Sequence, residues 1–253
     1  MTCVSKDVKK SEISIYDGDD DDRPAYDALW SDAHQGALLS GPRSHFNRLL
    51  EDTASSGRVL VLGCGNGSTI ARVEGFNDSG VVGIELSMSR LHTAAQRVAG
   101  ELCRSDAEKL PFEDNTFDTV VSKPILHHLP NWCDDGLSEI HRVLSEGGSL
   151  VIYEPGRYNP PAFLRRRYFP SNIHTPDEKP FNPRELHDEL DAKFSRVDIN
   201  GHCLFSNILP VVFRSSPIEV PTRVTESVYR LEQPLTDTHL RQFAWILTGI
   251  AFK

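Results

Sequence analysis

The chain has 253 residues, 39% of them hydrophobic and 25% charged, which is room for one sizeable α/β domain with additions and the balance of an ordinary globular protein. Its formal charge is −9, but the first 22 residues hold three lysines against seven acids and carry −4 of it. The mildly acidic remainder repels phosphate backbones at long range and argues against a nucleic-acid partner.

In chain order, residues 1–24 read as a disordered acidic tail, poor in large apolar groups and carrying Asp17, Gly18, Asp19, Asp20, Asp21 and Asp22 in succession. Such a run is a solvated stretch before it is a metal site. Residues 25–57 show helical spacing (Tyr26, Leu29, Trp30; then Phe46, Leu49, Leu50), broken at Gly41-Pro42 where proline suits a helix start. Two helices, an N-terminal helical lid, are expected there. Strands and helices then alternate over 58–62, 68–74, 81–85, 87–99, 102–105, 117–122, 132–144 and 149–154. Near-continuous apolar strands divided by helices imply an α/β fold with a parallel sheet covered on both faces. Asn182-Pro183-Arg184-Glu185 is a capping-box start for a helix reaching about residue 190, and strands near 194–199 and 245–252 bring the sheet to seven. The stretch 203–234, rich in Val, Pro and Phe, reads as an insertion between the last two strands, an apolar lid or a dimer contact.

Chemistry concentrates after the first strand. Residues 59–67 read VLVLGCGNG, with Gly63, Gly65 and Gly67 at alternate positions, and Glu85 closes the next apolar run, VVGIE. A glycine turn after a buried strand lets backbone N–H groups approach a ligand, and an acid about 20 positions later can grip a ribose. Dinucleotide binders place a third glycine or alanine five residues after the first; here that position is Ser68. Glu85 has a structural reading too, as an acid at the start of the helix that Ser87 caps.

GxGxG with an acid at the tip of the second strand resembles the class I S-adenosylmethionine-dependent methyltransferases, in particular the methyltransferase type 11, ubiquinone-menaquinone C-methyltransferase-like branch, over residues 58–152. FDTVVS at 117–122 and RVLSEGGSLVI at 142–152 extend the likeness. The resemblance implies a Rossmann-like doubly wound sheet of seven strands, mostly parallel with an antiparallel last strand. It divides residues 25–253, as a single domain, into the lid, a cofactor-binding core at 58–154 and an acceptor-binding and C-terminal part at 155–253. It implies S-adenosyl-L-methionine as cofactor, with S-adenosyl-L-homocysteine as product, bound by Gly63, Cys64, Gly65, Gly67, Glu85, Leu86, Asp106, Ala107 and Ser122. One departure stands out: the family commonly has an acid where this chain has Val61, which cannot accept a hydrogen bond. A non-catalytic cofactor-binding protein therefore stays open beside the enzyme, as does an NAD(P)-dependent oxidoreductase on a related sheet.

Methyl transfer from a sulfonium needs alignment and desolvation, and a general base only when the acceptor loses a proton. His127, in the loop Ser122-Lys123-Pro124-Ile125-Leu126-His127-His128, is the candidate base, and His128 a candidate acceptor contact. Lys123 reads as an exposed strand-end charge. Arg157, Tyr158, Arg165 and Arg166 lie in an acid-free run from 157 to 169 interleaved with aromatics. Guanidinium groups beside aromatics suit a small-molecule, lipid-like or glycan acceptor with an anionic group. Five cysteines without a CxxC pair suggest neither zinc nor disulfides, hence no metal and a reducing, cytoplasmic setting. No signal-peptide pattern or bilayer-length apolar run is present; peripheral membrane contact, and a monomer or homodimer, are compatible with the reading.

Overall fold

The computed structural model describes residues 40–168, 179–206 and 222–253. The expected acidic tail, the helix expected around Tyr26 to Trp30, and residues 207–221 of the expected insertion lie outside the described residues.

Seven strands form one sheet in the order β3-β2-β1-β4-β5-β7-β6. They are β1 Val59–Leu62, β2 Val81–Glu85, β3 Glu101–Arg104, β4 Phe117–Ser122, β5 Leu144–Pro155, β6 Arg196–His202 and β7 Ile246–Phe252. The first five pair in parallel, and β7 runs antiparallel between β5 and β6. Chain order reverses between β1 and β4, which opens a crevice at the carboxyl ends of these strands. The helices are α1 Ser40–Thr53, α2 Ser68–Glu74, α3 Met88–Ala95, α4 Leu137–Val143, α5 Pro160–Tyr168, α6 Pro183–Asp191 and α7 Thr222–Thr236.

Strand alternation splits the core into two layers. Along β1 every side chain is buried, Leu60 and Leu62 toward one cluster and Val59 and Val61 toward the other. The first cluster continues through Leu150 and Ile152 of β5 to Leu137 and Ile140 of α4 and Leu186 and Leu190 of α6. The second joins Val121, Val151 and Tyr153 to Phe46 and Leu50 of α1 and Ile70 and Val73 of α2. Phe46 packs edge-on against Tyr153, ring centres 5.5 Å apart, which seats α1 across the strands.

Several boundaries differ from expectation for tertiary reasons. α3 ends at Ala95 rather than 99, because Glu74 Oε1 accepts from the N–H groups of Ala99 and Gly100 and pulls the chain out of the helix. The segment expected as one helix over 132–144 begins as a wide π turn, Trp132–Gly136, before α4. Part of the expected lid is a fixed helix. In α7, Glu232 is buried and accepts from Phe205 N, Ser206 N and Ser206 Oγ at 2.7, 2.9 and 2.6 Å. Those bonds tie α7 to the end of β6.

Where β5 ends, Gly156 donates its N–H to Trp245 O at 2.7 Å, and a Cβ at this position would collide with the Ala244 carbonyl oxygen. The obstacle is backbone, so it cannot swing away. Gly156→Ala is expected to destabilise the chain by about 3 kcal/mol or more, read as a fall in the urea midpoint.

Candidate functional site

The turn after β1 is built by its glycines, which take φ of 54°, 55° and 80° at Gly63, Gly65 and Gly67. Side chains with a Cβ rarely adopt this region. Methylating Gly63 would also press on Ile125, and methylating Gly67 on Val98 and Ala94 of the next crossover. Cys64 is buried within the turn and donates its N–H to Ile84 O at 2.8 Å. Burial and the nearby Glu85 push its thiol up to about 12, so it packs as a small neutral residue.

Glu85 faces this turn from the end of β2 and is 8% exposed. One oxygen accepts from Leu86 N at 2.8 Å and Ser87 N at 3.1 Å; the other accepts from Gly65 N at 3.1 Å and lies 3.8 Å from Arg90 Nη1. The structural reading of this residue holds, since the carboxylate organises the start of α3, capped by Ser87, and it also braces the glycine turn. Two carboxylate oxygens offer about four acceptor sites, so capacity for a hydroxyl remains beside the Gly65 amide. Asp106 follows β3, its Oδ1 accepting from Glu108 N at 2.9 Å, and Ala107 is buried next to it. Gly65, Glu85 and Asp106 thus stand at the ends of β1, β2 and β3, three adjacent strands.

The end of β4 holds a buried polar cluster centred on Glu154, a side chain with no exposed surface. Glu154 Oε1 accepts from Ser122 Oγ at 3.0 Å and from the N–H groups of Ile125 and Leu126 at 2.9 Å each. Its Oε2 lies 2.7 Å from His127 Nδ1. Burial opposes ionisation of Glu154, but the His127 hydrogen bond and charge, with the two amides, outweigh it and hold the carboxyl below its ordinary value. An ionised carboxylate only accepts, so Nδ1 carries the proton and Nε2 is the basic nitrogen of His127. The His128 ring leans on His127 with centres 3.9 Å apart.

The structure therefore joins Ser122 and His127 through Glu154. An acid ending β5 and a histidine just after β4 share one sheet edge, and that pairing was the available signal. Arg157 is drawn elsewhere: its Nε donates to Pro180 O at 2.8 Å, its Nη1 lies 3.3 Å from Glu185, and the guanidinium sits over Tyr158, itself exposed. Arg157 braces α6 against the end of β5. Arg165 and Arg166 lie on α5, and their side chains fall outside the described residues. Among the described residues no group of three or more His, Cys, Asp or Glu could hold a metal ion, and no helix is long and apolar enough to cross a membrane.

Residues 60–152 match the family described as methyltransferase domain, the same stretch that contains the glycine turn, Glu85 and the His127 loop. Over those residues the chain is similar to methyltransferase domains. Among curated relatives, a demethylmenaquinone methyltransferase of Lactiplantibacillus plantarum is 38% identical over 117 residues, 43% of this chain and 49% of that protein. The match thus spans about half the length of that relative. Among solved structures, a SAM dependent methyltransferase from Archaeoglobus fulgidus superposes with a TM-score of 0.62 at 18% identity, covering 92% of this chain and all of that one. The Haemonchus contortus phosphoethanolamine N-methyltransferase 2, solved with phosphomonomethylethanolamine and S-adenosylhomocysteine, superposes with a TM-score of 0.56 at 18% identity over 83% of this chain and 52% of that one. At such identities the structural likeness establishes fold, and this chain keeps that fold while carrying Val61, 1% exposed, inside the apolar layer under α1.

Proposed function

We propose that this chain transfers the methyl group of S-adenosylmethionine to a small-molecule or lipid-like acceptor. The observation that carries the reading is the Gly65 amide bonded to Glu85 Oε2 at the switch between β1 and β4, with acceptor capacity left on that oxygen. This set fits a nucleoside: the glycine turn lets a ligand approach the backbone, Glu85 takes ribose hydroxyls, and Asp106 with the Ala107 amide takes the adenine edge. Gly63, Cys64, Gly67 and Leu86 complete the cradle as backbone and wall, and Ser122, wholly buried, supports it from beneath through its bond to Glu154. When bound, the cofactor supplies an activated methyl on a sulfonium.

The chain's own residues then align the acceptor and manage its proton. His127 is the general base, with Glu154 fixing its tautomer and steadying the positive charge it acquires. His128 fixes the ring's tilt. An acceptor that loses a proton, such as a phenolic hydroxyl or an acidic ring carbon, matches this base, and the relative's action on demethylmenaquinone supports a quinone-precursor acceptor. Tyr158 and Phe163, both exposed, form the acceptor's entry side. A cytoplasmic enzyme touching the membrane surface is the setting this chemistry suggests.

Calorimetry with S-adenosylmethionine, and with NADH as control, tests the cofactor; release of S-adenosylhomocysteine over quinol, phenol and amine acceptors tests the reaction. Glu85→Ala is expected to weaken S-adenosylhomocysteine binding about 10- to 100-fold, the worth of one or two hydrogen bonds to a charged group. Unchanged binding in Glu85→Ala, or heat from NADH alone, contradicts the reading.

A further inference from the structure

One cation at the sheet's carboxyl edge is unused by the chemistry above. Lys123 follows Ser122, and Ser122 pairs laterally with Leu62, the residue before Gly63. Lys123 therefore stands beside the first glycine of the turn. Strand alternation sends it to the face of Val121, the layer that contains Val61, Phe46 and Tyr153. Its Nζ lies 5.2 Å from the centre of the Phe46 ring and 5.7 Å from that of Tyr153. Two ring faces attract an ammonium without neutralising it.

Among the described residues no carboxylate pairs with Lys123, and the charges acting on it most are Arg43 of α1 and Arg72 of α2. Arg72 is engaged with Glu51 at 2.9 Å, whereas Arg43 adds positive potential to the same corner. Burial first, and then these two arginines, bring the lysine down to about 8. At position 61, on the same face of the neighbouring strand, an acid would compensate the charge, and the residue there is valine. An anion is what this corner lacks.

We propose that Lys123 is a positioning residue that holds the α-carboxylate of the cofactor's amino-acid end. The inference rests on the cofactor reading above and adds its far terminus. Adenine, ribose, sulfur and carboxylate would then follow the order of adjacent strand ends, β3, β2, β1 and β4, three strand spacings or about 14 Å. Glu85 and Lys123 stand on opposite sides of the glycine turn with opposite charge, which gives an elongated zwitterionic ligand one direction of entry.

The test compares binding of S-adenosylhomocysteine with that of 5′-deoxy-5′-methylthioadenosine, which keeps nucleoside and sulfur but lacks the amino-acid end. The wild-type chain is expected to prefer S-adenosylhomocysteine by about 10- to 100-fold, the worth of a hydrogen bond to a charged group. Lys123→Met is expected to abolish that preference by weakening S-adenosylhomocysteine alone. Methionine keeps the stem's contact with Phe46 and Tyr153 and removes an uncompensated charge, so its melting temperature should not fall; Lys123→Gln serves as a second variant. A preference absent from the wild type, retained in both variants, or lost because both ligands weaken equally, overturns the assignment. If the wild type binds neither compound, the cofactor reading itself fails.

Discussion

Replacing Glu154 by alanine is expected to cost about 3–5 kcal/mol of folding stability, as when one partner of a buried charged network is removed, and to abolish turnover. Four donors converge on this carboxylate: Ser122 Oγ, the amides of Ile125 and Leu126, and His127 Nδ1, all within 3.0 Å. Each would be left buried without its acceptor, and an unsatisfied donor loses more than a hydrogen bond gains. The loop from Ser122 to His128 has no other anchor of this strength among the described residues. Glu154→Gln separates architecture from chemistry. Its carbonyl can serve the two amides, but its NH2 group meets Nδ1–H of His127 donor to donor, and the neutral amide no longer balances an imidazolium. Turnover should then fall by about 10²- to 10⁴-fold, the contribution of a positioned base, while the melting temperature drops less than in Glu154→Ala. Urea unfolding and single-turnover transfer measure the two effects. A Glu154→Gln chain with full activity would remove His127 from the mechanism.

The same carboxylate sets one part of the acid response. Because its folded pKa is depressed, its stabilisation is present above the ordinary carboxylate value of 4.5 and is lost as pH falls through the lower folded value. Loss of this bridge belongs below pH 4.5, where the decline due to the histidines has already begun.

Local rules made much of the fold readable. The glycine turn, the Ser87 and Asn182 caps and the first strands follow from residues close together in sequence, while β5 begins earlier and β6 ends later than its pattern put it. Seven strands with an antiparallel last member agree with the resemblance. What stayed hidden depends on contacts between distant segments. Glu154 and His127 are 27 residues apart and meet because β4 and β5 are neighbours in parallel register, Ser122 opposite Ile152. Lys123 looks like a strand-end charge until α1 lays Phe46 over it. Arg157 resembled a ligand-binding cation, and only the packing of α6 shows where its donors go.

Acidification from pH 7.5 to 5 is expected to remove about 2 kcal/mol of stability through His202 alone, at about 1.4 kcal/mol per pH unit below the unfolded histidine value. His202 ends β6 and is 2% exposed. Its Nδ1 lies 2.8 Å from Tyr229 Oη on α7, and its Nε2 lies 2.8 Å from Thr248 Oγ1 on β7, which in turn lies 2.8 Å from His45 Nδ1 on α1. One arrangement satisfies this chain with both rings neutral: Tyr229 donates to His202 Nδ1, His202 Nε2–H donates to Thr248, and Thr248 donates to His45. Burial above all, and then the charge of His45, bring His202 from 6.5 down to about 3. The sign follows from that depression. Above pH 6.5 both folded and unfolded states leave this ring neutral; between 6.5 and 3 the unfolded chain takes up a proton that the fold refuses, so stability falls steadily across the window. His45 is lowered as well, chiefly by burial and next by Arg48, and adds in the same direction. Protonating either ring turns an acceptor into a donor and breaks the relay that joins α1 and α7 to the sheet. His202→Gln should lower the melting temperature at pH 7.5 by removing the relay, yet flatten its decline between pH 6.5 and 5. An equally steep decline in that variant would assign the acid sensitivity to other groups.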